Sequence, residues 1–89
     1  MSGGTFQGDQ YRIIDIRETI ESYINKQGKK SDYGDIYETF EPEVLNRLED
    51  AVKYLKMAYI YAHRVDYLLA GDDSQETFLE RLEFDLSKL

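Results

Sequence analysis

The stretch that decides the fold is PEVLNRLEDAVKYLKMAYIYAHRVDYLLAG, residues 42–71. Its apolar residues recur at alternating steps of four and three, which is the spacing of one face of a long helix. We call this row the heptad seam; it comprises Val44, Leu48, Ala51, Leu55, Ala58, Ala62, Val65 and Leu69. Pro42 suits a first helical turn and Gly71 suits a helix end. The pattern therefore predicts a helix over about residues 42–70 with the seam buried.

A shorter helix is predicted before this one, over about residues 10–27. Its apolar residues also follow helical spacing; they are Tyr11, Ile13, Ile16, Ile20, Tyr23 and Ile24. Asp9 can accept hydrogen bonds from free backbone N–H groups at its start. Gly28 provides a stop, because glycine enters the left-handed conformation without strain.

A third helix is predicted over about residues 74–87, after the tight turn Asp72-Asp73-Ser74. Asp73 or Ser74 can cap its first turn, and the side chain of Glu76 or Thr77 can complete a capping box by accepting a hydrogen bond from the backbone of the capping residue. Because the turn is short, this helix runs antiparallel to the end of the long one.

The sequence thus predicts an all-α fold, a three-helix bundle-like domain with one long central helix and a C-terminal helical hairpin. Residues 1–9 are expected to form a flexible N-terminus, and residues 10–89 a single helical domain. A chain of 89 residues suits one domain with a thin core.

Composition narrows the functional classes. The net charge is −7, and residues 31–50 alone carry seven acids and one base. No dense basic patch is present, so we expect no direct binding of nucleic acid. The chain has no cysteine, which excludes disulfides, thiolate metal sites and a cysteine nucleophile. It has no secretory signal and no apolar run of membrane-spanning length, so we expect a cytoplasmic protein without membrane contact.

An aromatic stripe on the long helix is a candidate interaction surface. Tyr54, Tyr61 and Leu68 are seven residues apart, on the side away from the predicted core. Either the connecting loop covers them with Tyr33, Tyr37 and Phe40, or they form a contact surface. The simplest such contact is a twofold homodimer through the long helices.

A polar cluster on one flank of the same helix is the second candidate site. Its members are Lys56, Tyr59, His63, Asp66 and Tyr67. A carboxylate close to an imidazole can orient it for acid–base chemistry, and the rings could hold a planar ligand such as a nucleotide base. The alternative is a purely structural contact at the edge of the core. No metal-ligand pair, serine elbow or phosphate-binding glycine loop accompanies the cluster, so we expect no catalytic residue, metal or cofactor.

Three segments together resemble a family of short uncharacterised proteins. The segments are MSGGTF at residues 1–6, AYIYAHRVDYLLAGDD at residues 58–73 and ETFLERL at residues 76–82. Such proteins occur in bacteria, including gut bacteria, and in their phages and mobile elements. The resemblance covers about half the chain and implies no known activity or functional residue.

The sequence therefore favours a non-enzymatic interaction or accessory protein of phage or mobile-element type that self-associates in the twofold manner above. An unknown protein partner would meet either the aromatic stripe or the acidic residues 32–50. The alternative is a small-ligand protein that binds or sequesters a nucleotide-type molecule with Tyr59, His63, Asp66 and Tyr67.

Overall fold

The computed structural model describes residues 4–29, 34 and 39–89, which form three α-helices. These are α1 (Tyr11–Lys26), α2 (Pro42–Leu69) and α3 (Gln75–Leu86). Each observed boundary lies within one residue of the predicted one. The predicted all-α, bundle-like fold is confirmed. No described helix is both long and apolar enough to cross a lipid bilayer.

Helix α2 is the axis of the molecule. Both α1 and α3 pack against it, whereas no Cα atom of α1 approaches α3 within 8 Å. The molecule measures 52 × 26 × 15 Å, and its thinnest dimension is little more than the diameter of one helix, about 10–12 Å. The fold is consequently an open layer of helices around α2.

The N-terminal residues 4–10 form successive turns that lead into α1. The backbone N–H of Asp9 donates to the carbonyl of Phe6 at 3.0 Å, and that of Tyr11 donates to Gly8 at 3.0 Å. Residues 4–9 thus form hydrogen-bonded turns, and the flexibility expected of residues 1–9 stays a prediction. The predicted cap by Asp9 is wrong, because Gln10 occupies the N-cap position and makes no capping hydrogen bond with its side chain.

The α2–α3 hairpin is fixed by its turn and by two ion pairs. Ser74 and Thr77 form a reciprocal capping box at the start of α3. Arg81 bonds the buried Asp73 at 2.7 Å within the hairpin. Arg64 of α2 bonds Asp85 of α3 at 2.7 Å, and this hydrogen bond raises the pKa of the Arg64 guanidinium.

The heptad seam is not the buried core that its spacing predicts. Val44, Ala58 and Leu69 are exposed and the other seam residues are only half-buried. Among the apolar residues in the described ranges, Leu82 alone is buried. The reason is that α1 packs beside the seam, where Tyr11 contacts Tyr59 with ring centroids 6.0 Å apart, and so leaves much of the seam uncovered.

Candidate functional site

A buried carboxylate organises the end of α2. Asp66 is 7% exposed, and its Oδ1 accepts a hydrogen bond from the backbone N–H of Phe6 at 2.8 Å. Its Oδ2 accepts from Nε2 of Gln10 at 3.3 Å. Both donors lie in the N-terminal turns, 60 and 56 residues away in sequence. Asp66 therefore anchors the N-terminus onto α2.

Gly4 allows that anchoring because it lies directly against the carboxylate. Its φ is +59°, and a Cβ at this position would lie 2.4 Å from Asp66 Oδ2. Both the backbone conformation and the missing side chain are therefore required. The glycine-rich opening of the chain has a steric role at this point.

The imidazole of His63 lies within a cluster of tyrosine rings. It stacks on Tyr59 at 5.4 Å between centroids, meets Tyr67 edge-on at 4.8 Å and faces Tyr11 at 6.5 Å. Burial, followed by the neighbouring Tyr11, raises the pKa of the Tyr59 hydroxyl. His63 Nδ1 is buried and has no hydrogen-bond partner.

His63 and Asp66 do not form the acid–base pair that their spacing allowed. The hydrogen bonds of Asp66 go to Phe6 and Gln10, whereas Nδ1 of His63 makes none. The two side chains instead line one cavity from different directions. No hydrogen bond along which a proton could pass directly joins them.

This cavity, which we call the N-terminal cavity, lies between the N-terminal turns and the end of α2 and has a volume of about 260 Å³. Of the predicted ligand-binding residues, His63, Asp66 and Tyr67 line it, while Tyr59 supports it through the ring of His63. The other lining residues come from the N-terminal turns and the interhelical turn and were not among the predicted ligand-binding residues. They are Gly4, Gln7, Gly8, Gln10, Tyr11 and Asp72.

The aromatic stripe lies on a different side of α2. Tyr54 is 64% exposed and Tyr61 is 45% exposed, whereas Leu68 is half-buried. Of the loop residues proposed to cover the stripe, Tyr33 and Tyr37 lie outside the described residues. Phe40 is described, and its backbone N–H donates to Oε1 of Gln27 at 3.1 Å.

The direction of this surface follows from helical geometry. At 100° per residue, Tyr61 and Ala58 lie about 60° and 120° around the axis from Arg64, and Asp66 lies at about 200°. Arg64 points towards α3 and Asp66 towards α1. The arc between them is the outer face of α2. Its exposed apolar residues are Val44, Tyr54, Ala58, Tyr61 and Leu69, and the charged Glu43 and Arg47 are exposed near its N-terminal end.

Comparisons with known proteins assign neither a family nor a function to the chain. Neither a protein-family model, nor a curated protein, nor a solved structure matches the chain. Within the described part of the chain, no three histidine or acidic side chains are grouped so that they could hold a metal ion. The candidate functional sites are therefore the N-terminal cavity and the outer face of α2.

Proposed function

We propose that this chain is a non-enzymatic protein–protein interaction module that functions as a homodimer through the outer face of α2. The observation that carries the proposal is the exposure of this face, where a heptad seam and an aromatic stripe lie side by side. Large contiguous apolar surfaces of this kind mark interaction sites. Tyrosine suits them because it combines a large apolar ring with a polar tip.

The exposed area supports a dimer of substantial size. The chain exposes 6790 Å², whereas a compact monomer of 10.5 kDa exposes about 5,400 Å². The radius of gyration is 17.1 Å, against about 12 Å for a compact domain of this length. If each of two copies buried the excess of about 1,400 Å², the total of about 2,800 Å² would fall among permanent dimer interfaces.

The distribution of side chains along α2 favours an antiparallel pair. Tyr54 and Tyr61 are equidistant from a point between Met57 and Ala58, so a twofold axis there pairs each tyrosine with the other one of the partner. Ala58 is small and exposed, which permits close approach of the two helices. The axis therefore passes through the least bulky part of the outer face.

Charge favours the same orientation. Residues 42–50 carry three acids and one base, and residues 51–69 carry one acid and three bases. An antiparallel pair brings these segments of charge −2 and +2 together, whereas a parallel pair opposes like charges.

Analytical ultracentrifugation at high micromolar concentration tests the dimer. We expect the wild-type chain to sediment as a dimer, and Tyr61→Glu to sediment as a monomer with unchanged helicity by circular dichroism. Tyr23→Glu is the matched control, because Tyr23 is similarly exposed but lies on α1. A monomeric wild-type chain, or equal effects of the two substitutions, would contradict the proposal.

Disulfide trapping tests the orientation, since the chain has no cysteine of its own. In the antiparallel dimer, Ala58→Cys lies beside its copy near the twofold axis, whereas Val44→Cys lies about 40 Å from its copy along the axis. We expect only Ala58→Cys to form a disulfide dimer under mild oxidation. Efficient trapping at both positions would indicate a parallel pair.

The type of biological setting follows from the resemblance in sequence. On that resemblance alone, we propose an accessory role in a phage or mobile element. Co-purification of the wild-type chain and Tyr61→Glu from a bacterial host extract would compare the proteins that each retains. Identical sets of retained proteins would separate the dimer interface from the surface that contacts the partner.

A further inference from the structure

The charge of Asp66 has no cationic partner among the described residues. Its two hydrogen bonds come from neutral amide groups of Phe6 and Gln10. The nearby cations are engaged elsewhere: Arg64 bonds Asp85 and Arg81 bonds Asp73, both at 2.7 Å. Buried charges in proteins are normally paired, because removing them from water is costly. The end of α2 therefore attracts positive charge.

Two further acceptor atoms belong to residues that line the N-terminal cavity. Gln10 is only 5% exposed, and its Oε1 is buried without a hydrogen-bond partner. Nδ1 of His63 is likewise buried and unpartnered. A carbonyl oxygen can only accept a hydrogen bond, and a neutral imidazole nitrogen accepts one when the proton is on the other nitrogen. Both atoms are closed off from solvent, so a ligand N–H group would reach them only after the Gln10 amide or the His63 ring rotates.

The remaining walls of the cavity also suit a cation. Tyr11 contributes an aromatic ring, and the face of such a ring attracts positive charge. Asp72 lines the same cavity and is exposed, so it places a second negative charge at the entrance. A phosphate-bearing nucleotide would be repelled by these carboxylates.

We infer that the N-terminal cavity binds the charged end of a small organic cation, an alkylammonium or guanidinium group. The volume of about 260 Å³ lies just below the range of drug-sized pockets, roughly 300–1,000 Å³, and suits a group the size of one side chain. The source is either a free polyamine or a lysine or arginine side chain of a basic peptide. This inference is independent of the dimer, since it concerns other residues of α2.

Nuclear magnetic resonance titration of the full chain tests this inference directly. His63 is the only histidine, so its ring protons report on the cavity without ambiguity. The probes are spermidine, a blocked arginine and a short arginine-containing peptide, with AMP as the anionic comparison. For a ligand fragment of about six heavy atoms we expect a dissociation constant on the order of 0.1–1 mM.

Three variants distinguish binding of a cation in the N-terminal cavity from non-specific attraction of a cation to an acidic protein. Asp66→Asn keeps the shape of the side chain but removes the buried charge, and we expect it to weaken cation binding about tenfold or more. Asp72→Asn should weaken binding roughly threefold, as for a partly screened charge. Glu43→Gln makes the same change in net charge at the far end of α2, and it should leave the affinity unchanged.

Each outcome decides the inference. Shifts of the His63 resonances with spermidine or blocked arginine would identify a free ligand, and shifts only with the peptide would identify a side chain of a partner. The inference fails if no cation shifts these resonances, if AMP binds more tightly than the amines, or if Glu43→Gln weakens binding as much as Asp66→Asn.

Discussion

Replacing Asp66 with alanine tests whether this carboxylate holds the N-terminal turns on α2. The substitution removes the acceptor for the Phe6 backbone N–H at 2.8 Å and for Gln10 Nε2 at 3.3 Å. Asparagine at the same position is the matched control. It retains an oxygen for Phe6, and its amide can donate to the otherwise unpartnered Oε1 of Gln10 once that side chain rotates.

The expected loss in the free energy of unfolding follows from these two hydrogen bonds. A hydrogen bond to a charged group contributes about 1.5–3 kcal/mol, and the longer bond from Gln10 contributes less, roughly 0.5–1 kcal/mol. Removal of a buried and unpaired carboxylate returns part of that free energy. We therefore expect Asp66→Ala to lower the free energy of unfolding by about 2 kcal/mol, and Asp66→Asn to change it by less than about 1 kcal/mol.

Urea unfolding monitored by circular dichroism measures the difference in the free energy of unfolding between each variant and the wild-type chain. Hydrogen exchange shows which part of the chain is destabilised. In Asp66→Ala we expect the amides of residues 4–10 to exchange much faster, while those at the centre of α2 remain protected. An alanine variant as stable as the wild-type chain, with unchanged exchange of residues 4–10, would refute the anchoring role. If asparagine destabilises the fold as much as alanine, the negative charge itself is what holds the N-terminus.

Two other changes probe the hairpin and the aromatic cluster. Ser74→Ala removes the side-chain half of the capping box and should lower the free energy of unfolding by about 1 kcal/mol; an unchanged urea midpoint would contradict the role of the cap. The pKa of Tyr59 is raised above 10.0 by burial and then by Tyr11, so the folded state retains a proton that the unfolded state loses. That contribution to stability is complete below about pH 10 and is lost as pH rises through the folded pKa. Tyr59→Phe should therefore lose less stability than the wild-type chain in urea unfolding between about pH 9 and 11, and parallel curves would disprove this explanation.

The helices were predictable because their signals are local. The alternation of apolar residues between Pro42 and Leu69 sets one helix, and the Ser74–Thr77 pair marks the start of another. Periodicity indicates which side chains share one face of a helix, but not which other helix packs against that face. The seam was therefore expected in the core, whereas α1 packs on the neighbouring flank of α2, where Tyr11 contacts Tyr59.

The N-terminal cavity was only half predictable for a related reason. His63 stands out in the sequence as the only histidine. Asp66 stands out because it continues, in steps of seven, the apolar row Leu45, Val52 and Tyr59. The roles of Gly4 and Gln10 depend on a contact between the two ends of the chain, which no local pattern encodes. The sequence left Asp66 open either as a partner for His63 or as a structural contact, and its hydrogen bonds go to Phe6 and Gln10.

The geometry of α2 explains why the two proposed binding surfaces can coexist. Arg64 points towards α3 and Asp66 towards α1, about 200° apart around the helix axis. Tyr61 lies in the wider arc between them on one side, and His63 lies on the other side, about 200° from Tyr61. A dimer through the outer face would therefore leave the N-terminal cavity open in both copies. The two sites should bind independently, so Tyr61→Glu should abolish dimerisation and leave the affinity for a small cation intact.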